Sequence, residues 1–562
     1  MCGIVGGNRK QWNYEKAVGA IGHRGPDGTD IYRGEGFSLG FARLAIIDLS
    51  PNAMQPMADE DGKVRIVYNG EIYNYKSLRR KLEKNFLFRT VSDTEVVLAA
   101  YLQYGDSFVQ YMDGMFAIAI FDERVKKVKL FRDRAGVKPL YYYYDGKNFA
   151  FCSELKGILA LECREKWEID HTALYDYLTY QYIPEPKSLY KYVYKLQPAH
   201  WMEYDLLDGK LSKQSRYWKI RVNDNQGGTA DVDEAAYELK RILAHSVKQQ
   251  LNADVAVGIL LSGGIDSSIV TREAGKQDKD ILAFSVGFQD GRYSEIQYAR
   301  EAAEYLGVGL VERICDRGRV TGAYGKIKQW FDEPFADTSC YPTYMVCGLA
   351  KKKVRVVLTG DGGDELFGGY QHYGYLEEKR KGKSCRKISG LYQDIGIKIR
   401  TAEDYLLEDV ALYAKYTGFV LNRSEKKEYA KMWGIPKDYD DYWHLRKFYH
   451  RDLPMRTRLQ YMDFHTFLGR VLTKVDRTSM QNSVEARVPL LSRKVIEYAF
   501  GLPENIRYFG GELKGILKYA YRDELPMDIL YRKKQGFTLP PQYLRNNSVP
   551  QQIELLHNIW IP

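Results

Sequence analysis

A chain of 562 residues is longer than one hydrophobic core supports, so two or more domains are expected. Apolar residues at 45% and charged residues at 28% place it among ordinary soluble globular proteins and away from disordered or fibrous ones. The formal net charge of +10 is spread over patches such as KKK at 351–353 and is not gathered into the basic stripe of a nucleic-acid module, so no nucleic-acid partner is expected. The seven cysteines lie far apart without a CxxC pair, which fits a reduced, cytoplasmic protein better than a disulfide framework. No basic segment leads into an apolar stretch at the start, and runs such as MFAIAIF at 115–121 are strand-sized. Neither a signal peptide nor a membrane partner is expected.

The first element is the strand CGIVGG, and Cys2 stands at its edge. Removal of Met1 would leave a thiol and a free α-amine on one residue, and an amine with a pKa of roughly 7.7–8.0 is a usable base near neutrality. That is the logic of an N-terminal nucleophile; the plainer reading is a small residue opening a strand. VRIVYNG, MFAIAIFD and KVKLFRD read as further strands, and YYYYDGKNFAFCS as a hairpin turning at Asp-Gly. SDTEVVLAAYLQYG reads as a helix capped by Asp93 or Ser92. Strands with a few covering helices predict a sandwich of sheets over residues 1–205. Four polar clusters interrupt it: GHRGPDG at 22–28, FARLAIIDL at 41–49, YNGEIYN at 68–74 and SDTE at 92–95.

A polar stretch, NDNQGGTADVDEAA at 223–236, predicts a linker over 206–232 ahead of a second domain, 233–562. There helices such as AAYELKRILAHSVKQQL and YSEIQYAREAAEYLG alternate with the strands VAVGILL, ILAFSVGF and VRVVLTG. Such alternation predicts a doubly wound parallel sheet. SGGIDSS at 262–268 follows the first of these strands and opens a helix. Its glycines let backbone N–H groups converge on an anion, its serines add hydroxyl donors, and the helix start supplies a favourable dipole. Asp266 would repel phosphate unless a cation lay between them, which suggests Mg²⁺. A second loop, TGDGGDELFGGY at 359–370, places Asp361, Asp364 and Glu365 among five glycines. A second Mg²⁺, a bound amine or a general base would reconcile these like charges; a solvated acidic turn is the plainer reading. Further on, Lys474, Arg477, Arg487, Lys514 and Lys518 supply cations for charge growing on a phosphate leaving group.

Cys2, Arg43, the NGE at 69–71, Asp93 and RDRAGVKPLYY at 132–142 resemble the glutaminase domain of class II glutamine amidotransferases. SGGxDSS after an apolar strand resembles the pyrophosphate loop of N-type ATP pyrophosphatases. Together they resemble the glutamine-hydrolysing asparagine synthetase family over nearly the whole chain. The resemblance implies an αββα Ntn-hydrolase-like sandwich followed by an α/β pyrophosphatase domain with added helices. It implies Cys2 as nucleophile, Asn69 and Gly70 as oxyanion donors, and Arg43, Asn69, Glu71 and Asp93 as the glutamine site. For ATP and pyrophosphate it implies Leu261, Ser262, Gly263, Gly264, Asp266, Ser267, Ser268, Val286, Thr359 and Gly360. Asp266 and Asp364 are implied as metal ligands, and Asp361 and Lys514 as catalytic. ATP, Mg²⁺, glutamine and aspartate are the implied small molecules, ammonia crosses between the domains through a tunnel, and a homodimer is the assembly common among such enzymes. One departure stands out: the family's SGEGSDE reads TGDGGDE here, with Asp361 in place of Glu. That leaves open an alternative acceptor, a sugar acid or peptide carboxylate amidated by the same acyl-adenylate chemistry.

Overall fold

The computed structural model describes residues 2–223, 231–324, 326–380, 409–417, 423–532 and 539–543. The N-terminal part holds two six-stranded antiparallel sheets. In spatial order the first is Val193–Lys195, Tyr141–Tyr144, Phe149–Cys152, Gly3–Gly7, Ser38–Arg43 and Gly28–Arg33. The second is Ser215–Arg216, His200–Asp205, Lys127–Arg132, Gly114–Asp122, Val64–Ile72 and Met57–Ala58. Side chains alternate across a strand, and here both faces are apolar. Ile4, Phe41, Val67, Ala119, Phe121 and Phe151 fill the space between the sheets. Val5, Ala42 and Cys152 face outward onto helices Tyr14–Ala20 and Leu155–Ala160. On the other side Ile66, Phe116 and Ile118 face helices Tyr75–Leu82 and Asp93–Tyr104. A sheet apolar on both faces must be covered on both, and the result is the expected αββα stack.

The C-terminal part is built on a five-stranded parallel sheet. Its spatial order is Gly309–Cys315, Leu282–Phe288, Val257–Leu260, Val356–Leu358 and Glu485–Arg487. The chain order reverses between Val257–Leu260 and Val356–Leu358, and ligands of such sheets bind in the crevice beyond that point. SGGIDSS and TGDGGDE are the two loops that leave these strands there. Two strands carried no clear apolar signal. Gly309–Cys315 lies at the sheet's edge and is mostly half-exposed, and Glu485–Arg487 buries a charge pair.

Strand Ser215–Arg216 pairs with His200–Asp205, inside the stretch expected to be linker. Trp218 and Ile220 then pack into the second domain's core, and helix Val232–Gln250 follows. Residues 224–230 of the expected linker lie outside the described residues. No helix among the described residues is long and apolar enough to cross a membrane.

Buried charges join the two parts. Arg24, wholly enclosed, donates to Glu154 at 2.6 Å and, from helix Phe467–Met480 of the second domain, to Asp476 at 2.8 Å. Arg477 on that helix reaches Glu154 at 2.7 Å and Asp332 at 3.1 Å, and Lys156 reaches the same two carboxylates at 3.0 and 3.2 Å. Burial alone would raise the Glu154 carboxyl, but Arg477, Lys156, His23 and Arg24 hold it well below the usual range. A depressed carboxyl adds stability above its unfolded pKa and loses it as pH falls through the folded one. Glu154→Gln should therefore lower stability by about 3–5 kcal/mol at neutral pH, with a gap from wild type that narrows toward strongly acid pH, measured by denaturant titration.

Candidate active sites

Strand Gly3–Gly7 lies antiparallel to Ser38–Arg43 with Gly3 opposite Ala42, which brings Cys2 beside the turn after Arg43. The Cys2 thiol points at the Leu44 carbonyl, 3.8 Å away, and the Cys2 backbone nitrogen donates to Asn69 Oδ1 at 3.0 Å. Burial pushes the thiol above its usual range, so ionising it needs a base close by. Asn69 Nδ2 is buried and has no hydrogen-bond partner among the described residues. A Cβ on Gly70 would stand 2.1 Å from the Met115 carbonyl oxygen, so the adjoining strand demands glycine at this position.

Ser92, rather than Asp93, caps helix Asp93–Tyr104, accepting from the Glu95 N–H at 3.4 Å. Asp93 instead turns to the strand, where Oδ2 accepts from the Tyr68 hydroxyl at 2.9 Å and the Ile72 N–H at 3.1 Å. Burial raises its carboxyl to about 6. Glu71 is buried too: Oε2 meets Arg487 at 3.2 Å, and Oε1 has no hydrogen-bond partner among the described residues. Burial and the nearby Asp93 push the Glu71 carboxyl well above the usual range. Arg43 braces the loop after its strand, donating to the Ser50 carbonyl at 2.7 Å and to the Asp48 carbonyl. Cys2, Arg43, Asn69, Gly70, Glu71 and Asp93 thus gather at one end of the sandwich. A thiol, one unanswered buried donor and one unanswered buried acceptor suit a substrate that brings an oxyanion and an ammonium.

At the second end Gly263, with φ 73°, passes so close to helix Ile296–Leu306 that a Cβ would stand 2.4 Å from the Tyr298 backbone. Ser262 Oγ and Ser267 Oγ lie 3.1 Å apart, and the Gly264 N–H donates to Ser262 Oγ at 3.3 Å. Leu261, Val286 and Ser268 are buried just below. The acidic loop packs directly on this one. A Cβ on Gly360 would stand 2.7 Å from Ser267 N, and one on Gly363 would stand 2.4 Å from Asp266 Oδ1. Across the contact reaches Lys514, buried and held at φ 54°, whose ammonium pairs with Asp266 and with Asp364 at 2.7 Å. Burial alone would lower the Lys514 pKa; the two carboxylates outweigh it and raise it, so the ammonium stays charged.

The three carboxylates of this loop therefore divide. Asp364 meets Lys514; Glu365 turns into the core, accepts from the Tyr370 hydroxyl at 2.7 Å, and is raised to about 8 by burial and by Asp364. Asp361 stays half-buried above Thr359, whose Oγ1 accepts the Asp361 N–H at 3.4 Å. No group of three or more His, Cys, Asp or Glu among the described residues would hold a metal by itself.

Two expected phosphate cations lie elsewhere. Arg477 and Arg487 face the first domain, consumed by Glu154 and Asp332 and by Glu485 and Glu71. Both lie on elements whose buried face meets the other domain, which no spacing in the chain reveals. Lys518 pairs with Glu512 at 2.7 Å, and Lys474 helps hold the Asp337 carboxyl low against the effect of burial. One cation the sequence left unsignalled stands at the loop instead. Arg532 donates to the Gly263 carbonyl at 3.1 Å and to Glu295 at 3.1 Å, and its Nη1 is buried with no partner among the described residues.

Residues of both domains, among them Val137, Leu140, Tyr141, Leu472, Thr473 and Asp476, border a cavity of about 20 Å³. It is large enough for a molecule the size of water or ammonia.

The fold and both ends define a two-domain enzyme of the amidotransferase class, and the comparisons with known proteins agree. Residues 1–218 match the family model of the glutamine amidotransferase domain, and residues 238–554 match that of asparagine synthase. The chain is 34% identical to asparagine synthetase [glutamine-hydrolyzing] 1 of Bacillus subtilis, over 95% of this chain and 84% of that protein. It is 36% identical to a putative asparagine synthetase [glutamine-hydrolyzing] 2 of Methanocaldococcus jannaschii, over 85% of this chain and 98% of that one. A putative asparagine synthetase [glutamine-hydrolyzing] of Mycobacterium bovis is 32% identical over 92% of this chain and 82% of its own length. The protein belongs to the asparagine synthase family.

Lys514→Ala removes the cation that separates Asp266 from Asp364. ATP-dependent turnover should fall by about 100-fold or more, while glutamine hydrolysis, assayed on the same preparation, stays within about twofold of wild type.

Proposed function

We propose that this protein is a glutamine-dependent asparagine synthetase, built as an N-terminal glutaminase domain that runs at least through strand Ser215–Arg216, past the boundary at 205 expected from the sequence, and a C-terminal ATP-dependent amide-forming domain. The observation that carries the reading is the pairing, in one chain of this family, of an unanswered Asn69 donor and Glu71 acceptor beside Cys2 with a Lys514–Asp266–Asp364 cluster on a glycine-rich loop.

With Met1 removed, the Cys2 amine takes the thiol proton as sulfur attacks the glutamine side-chain amide. Asn69 Nδ2 and the Gly70 N–H receive the oxyanion, each worth about 2.7–4 kcal/mol in the transition state. Glu71 and Asp93 take the substrate's α-ammonium, and Arg43 its α-carboxylate. Ammonia leaving Cys2 passes through the interior between the domains, where residues of both border a small cavity. An enclosed path suits the chemistry, because ammonia in neutral water is mostly protonated and no longer a nucleophile.

In the second domain Ser262–Ser268, Leu261, Val286, Thr359 and Gly360 cradle ATP, with backbone N–H groups and serine hydroxyls on the phosphates. Asp266 and Asp364 suit Mg²⁺, an ion commonly held by one or two carboxylates plus substrate phosphates, and it would neutralise charge on pyrophosphate. Lys514 steadies that charge from the protein side, and Arg532, whose Nη1 has no partner among the described residues, adds a second cation at the same loop. The aspartate side chain attacks the α-phosphate, expels pyrophosphate and forms β-aspartyl-AMP; ammonia then displaces AMP. Asp361, half-buried over Thr359, is the carboxylate placed to steer ammonia or accept its proton.

Wild-type protein given ATP, Mg²⁺ and aspartate should release AMP and pyrophosphate with either glutamine or ammonia. Cys2→Ala should lose the glutamine-driven reaction and keep the ammonia-driven one; ADP with orthophosphate as products would overturn the mechanism. The Asp93 carboxyl, raised to about 6 by burial, supplies a pH signature. Above that value the ionised carboxylate attracts the substrate ammonium; below it the neutral acid does not. The glutamine KM of wild type should therefore climb as pH falls through about 6, and Asp93→Asn should show a higher KM above that pH and a smaller rise below it.

A further inference from the structure

Glu71 is the residue of the glutamine end whose surroundings belong least to its own domain. It sits on strand Val64–Ile72 with Asp93 nearby, and both carboxyl groups are buried. Two buried carboxylates this close resist ionising together unless a cation joins them. Arg43 does not serve, because its terminal nitrogens are turned onto the carbonyls of Asp48 and Ser50. The guanidinium that reaches Glu71 comes from the last strand of the parallel sheet: Arg487 Nη2 stands 3.2 Å from Glu71 Oε2.

Arg487 is held so that it has little freedom to do anything else. It is wholly enclosed, its Nε donates to Glu485 at 2.6 Å, and its Nη1 donates to the carbonyls of Gln250 and Asn252 at 2.8 Å each. Its backbone is fixed as well, opposite Leu358 in the parallel register and accepting the Thr359 N–H at 2.9 Å. A planar fork anchored on three sides presents one edge to Glu71 Oε2 in a single orientation. Glu71 Oε1 is then left buried and without a partner among the described residues.

We propose that Arg487, supplied by the synthetase domain, is a positioning residue of the glutamine site: it fixes the Glu71 carboxylate so that Oε1 faces the substrate's α-ammonium. The inference rests on the glutamine site proposed above. Glutamine affinity is then set partly by a residue of the domain that consumes the ammonia. The residue acts on binding and leaves the attack by Cys2 alone, so its signature is a rise in KM at nearly constant kcat.

The test is steady-state glutamine hydrolysis by the full-length wild type, Arg487→Lys, Arg487→Met, Glu71→Gln and the double variant Glu71→Gln/Arg487→Lys. Circular dichroism and the thermal transition report whether each is folded. Arg487→Lys keeps the charge but loses the fork, and should raise the glutamine KM by about tenfold or more with kcat within about threefold. Glu71→Gln should raise KM comparably. Adding Arg487→Lys to Glu71→Gln should then raise KM by less than about threefold, because the group that Arg487 positions is gone. If Arg487→Met does not fold, the lysine variant and the cycle decide the matter. An unchanged KM in folded Arg487→Lys, a fall in kcat at constant KM, or fully additive effects in the double variant would overturn the inference. A wild type that does not hydrolyse glutamine would overturn the site assignment itself, a result recognisable before any Arg487 variant is made.

Discussion

The charges enclosed between the two domains are the constraint on which both sites depend. Arg24, His23, Glu154, Lys156, Asp332, Asp476 and Arg477 form one connected set, and Arg24 also donates to the Cys2 carbonyl at 3.2 Å. Buried ion pairs offset their own desolvation only when geometry and hydrogen bonding are nearly complete. An alternative docking of the domains would leave several of these charges unpaired in a poorly polarisable interior, which is far more costly than a lost apolar contact. The set therefore selects one arrangement more than it adds stability. With that arrangement chosen, Arg24 ties the Cys2 carbonyl to Asp476 of helix Phe467–Met480, and Leu472, Thr473 and Asp476 of the same helix border the small interdomain cavity.

The two chemistries are organised by different physical means. At the proposed glutamine end, burial leaves a donor on Asn69 and an acceptor on Glu71 without a partner among the described residues. Such groups carry a desolvation penalty until a ligand of matching pattern arrives, which under the proposed function is a source of specificity for glutamine. At the nucleotide end, by contrast, opposed charges are already paired. Lys514 stands between Asp266 and Asp364 in a left-handed conformation uncommon for a side-chain-bearing residue. Under the proposed function, phosphates entering this loop would meet carboxylates and an ammonium already paired with one another, so part of the interaction energy would go into rearranging those pairs.

Much of this was legible in the chain. Short apolar β-rich runs with a few covering helices predicted the sandwich, and strand–helix alternation predicted the parallel sheet, because each pattern follows from local backbone geometry. The glycines of SGGIDSS were readable as backbone free to turn its N–H groups toward an anion; that Gly263, Gly360 and Gly363 also sit where a Cβ would collide appears only in the folded chain. Strand Glu485–Arg487 was not legible. Its residues are charged, and they are buried only because Glu71 and the carbonyls of Gln250 and Asn252 meet them there.

By itself, then, the sequence determined the two domain types, most of the strands and helices that build them, and the glycine-rich loops that follow the strands of the parallel sheet. Those properties depend on side-chain period, turn residues and local spacing, all of which act within a few residues. Only the tertiary structure decided which charges face phosphate and which face the other domain. Arg477 and Arg487 read along the chain as cations for a leaving group, yet they serve carboxylates brought from 323 and 416 positions away (477 − 154 and 487 − 71). Arg532, unremarkable in its own segment, ends against the Gly263 carbonyl. A charge is directionless in one dimension; its role is set by whatever opposite charge the folded chain places within a few ångströms, where the interior screens little.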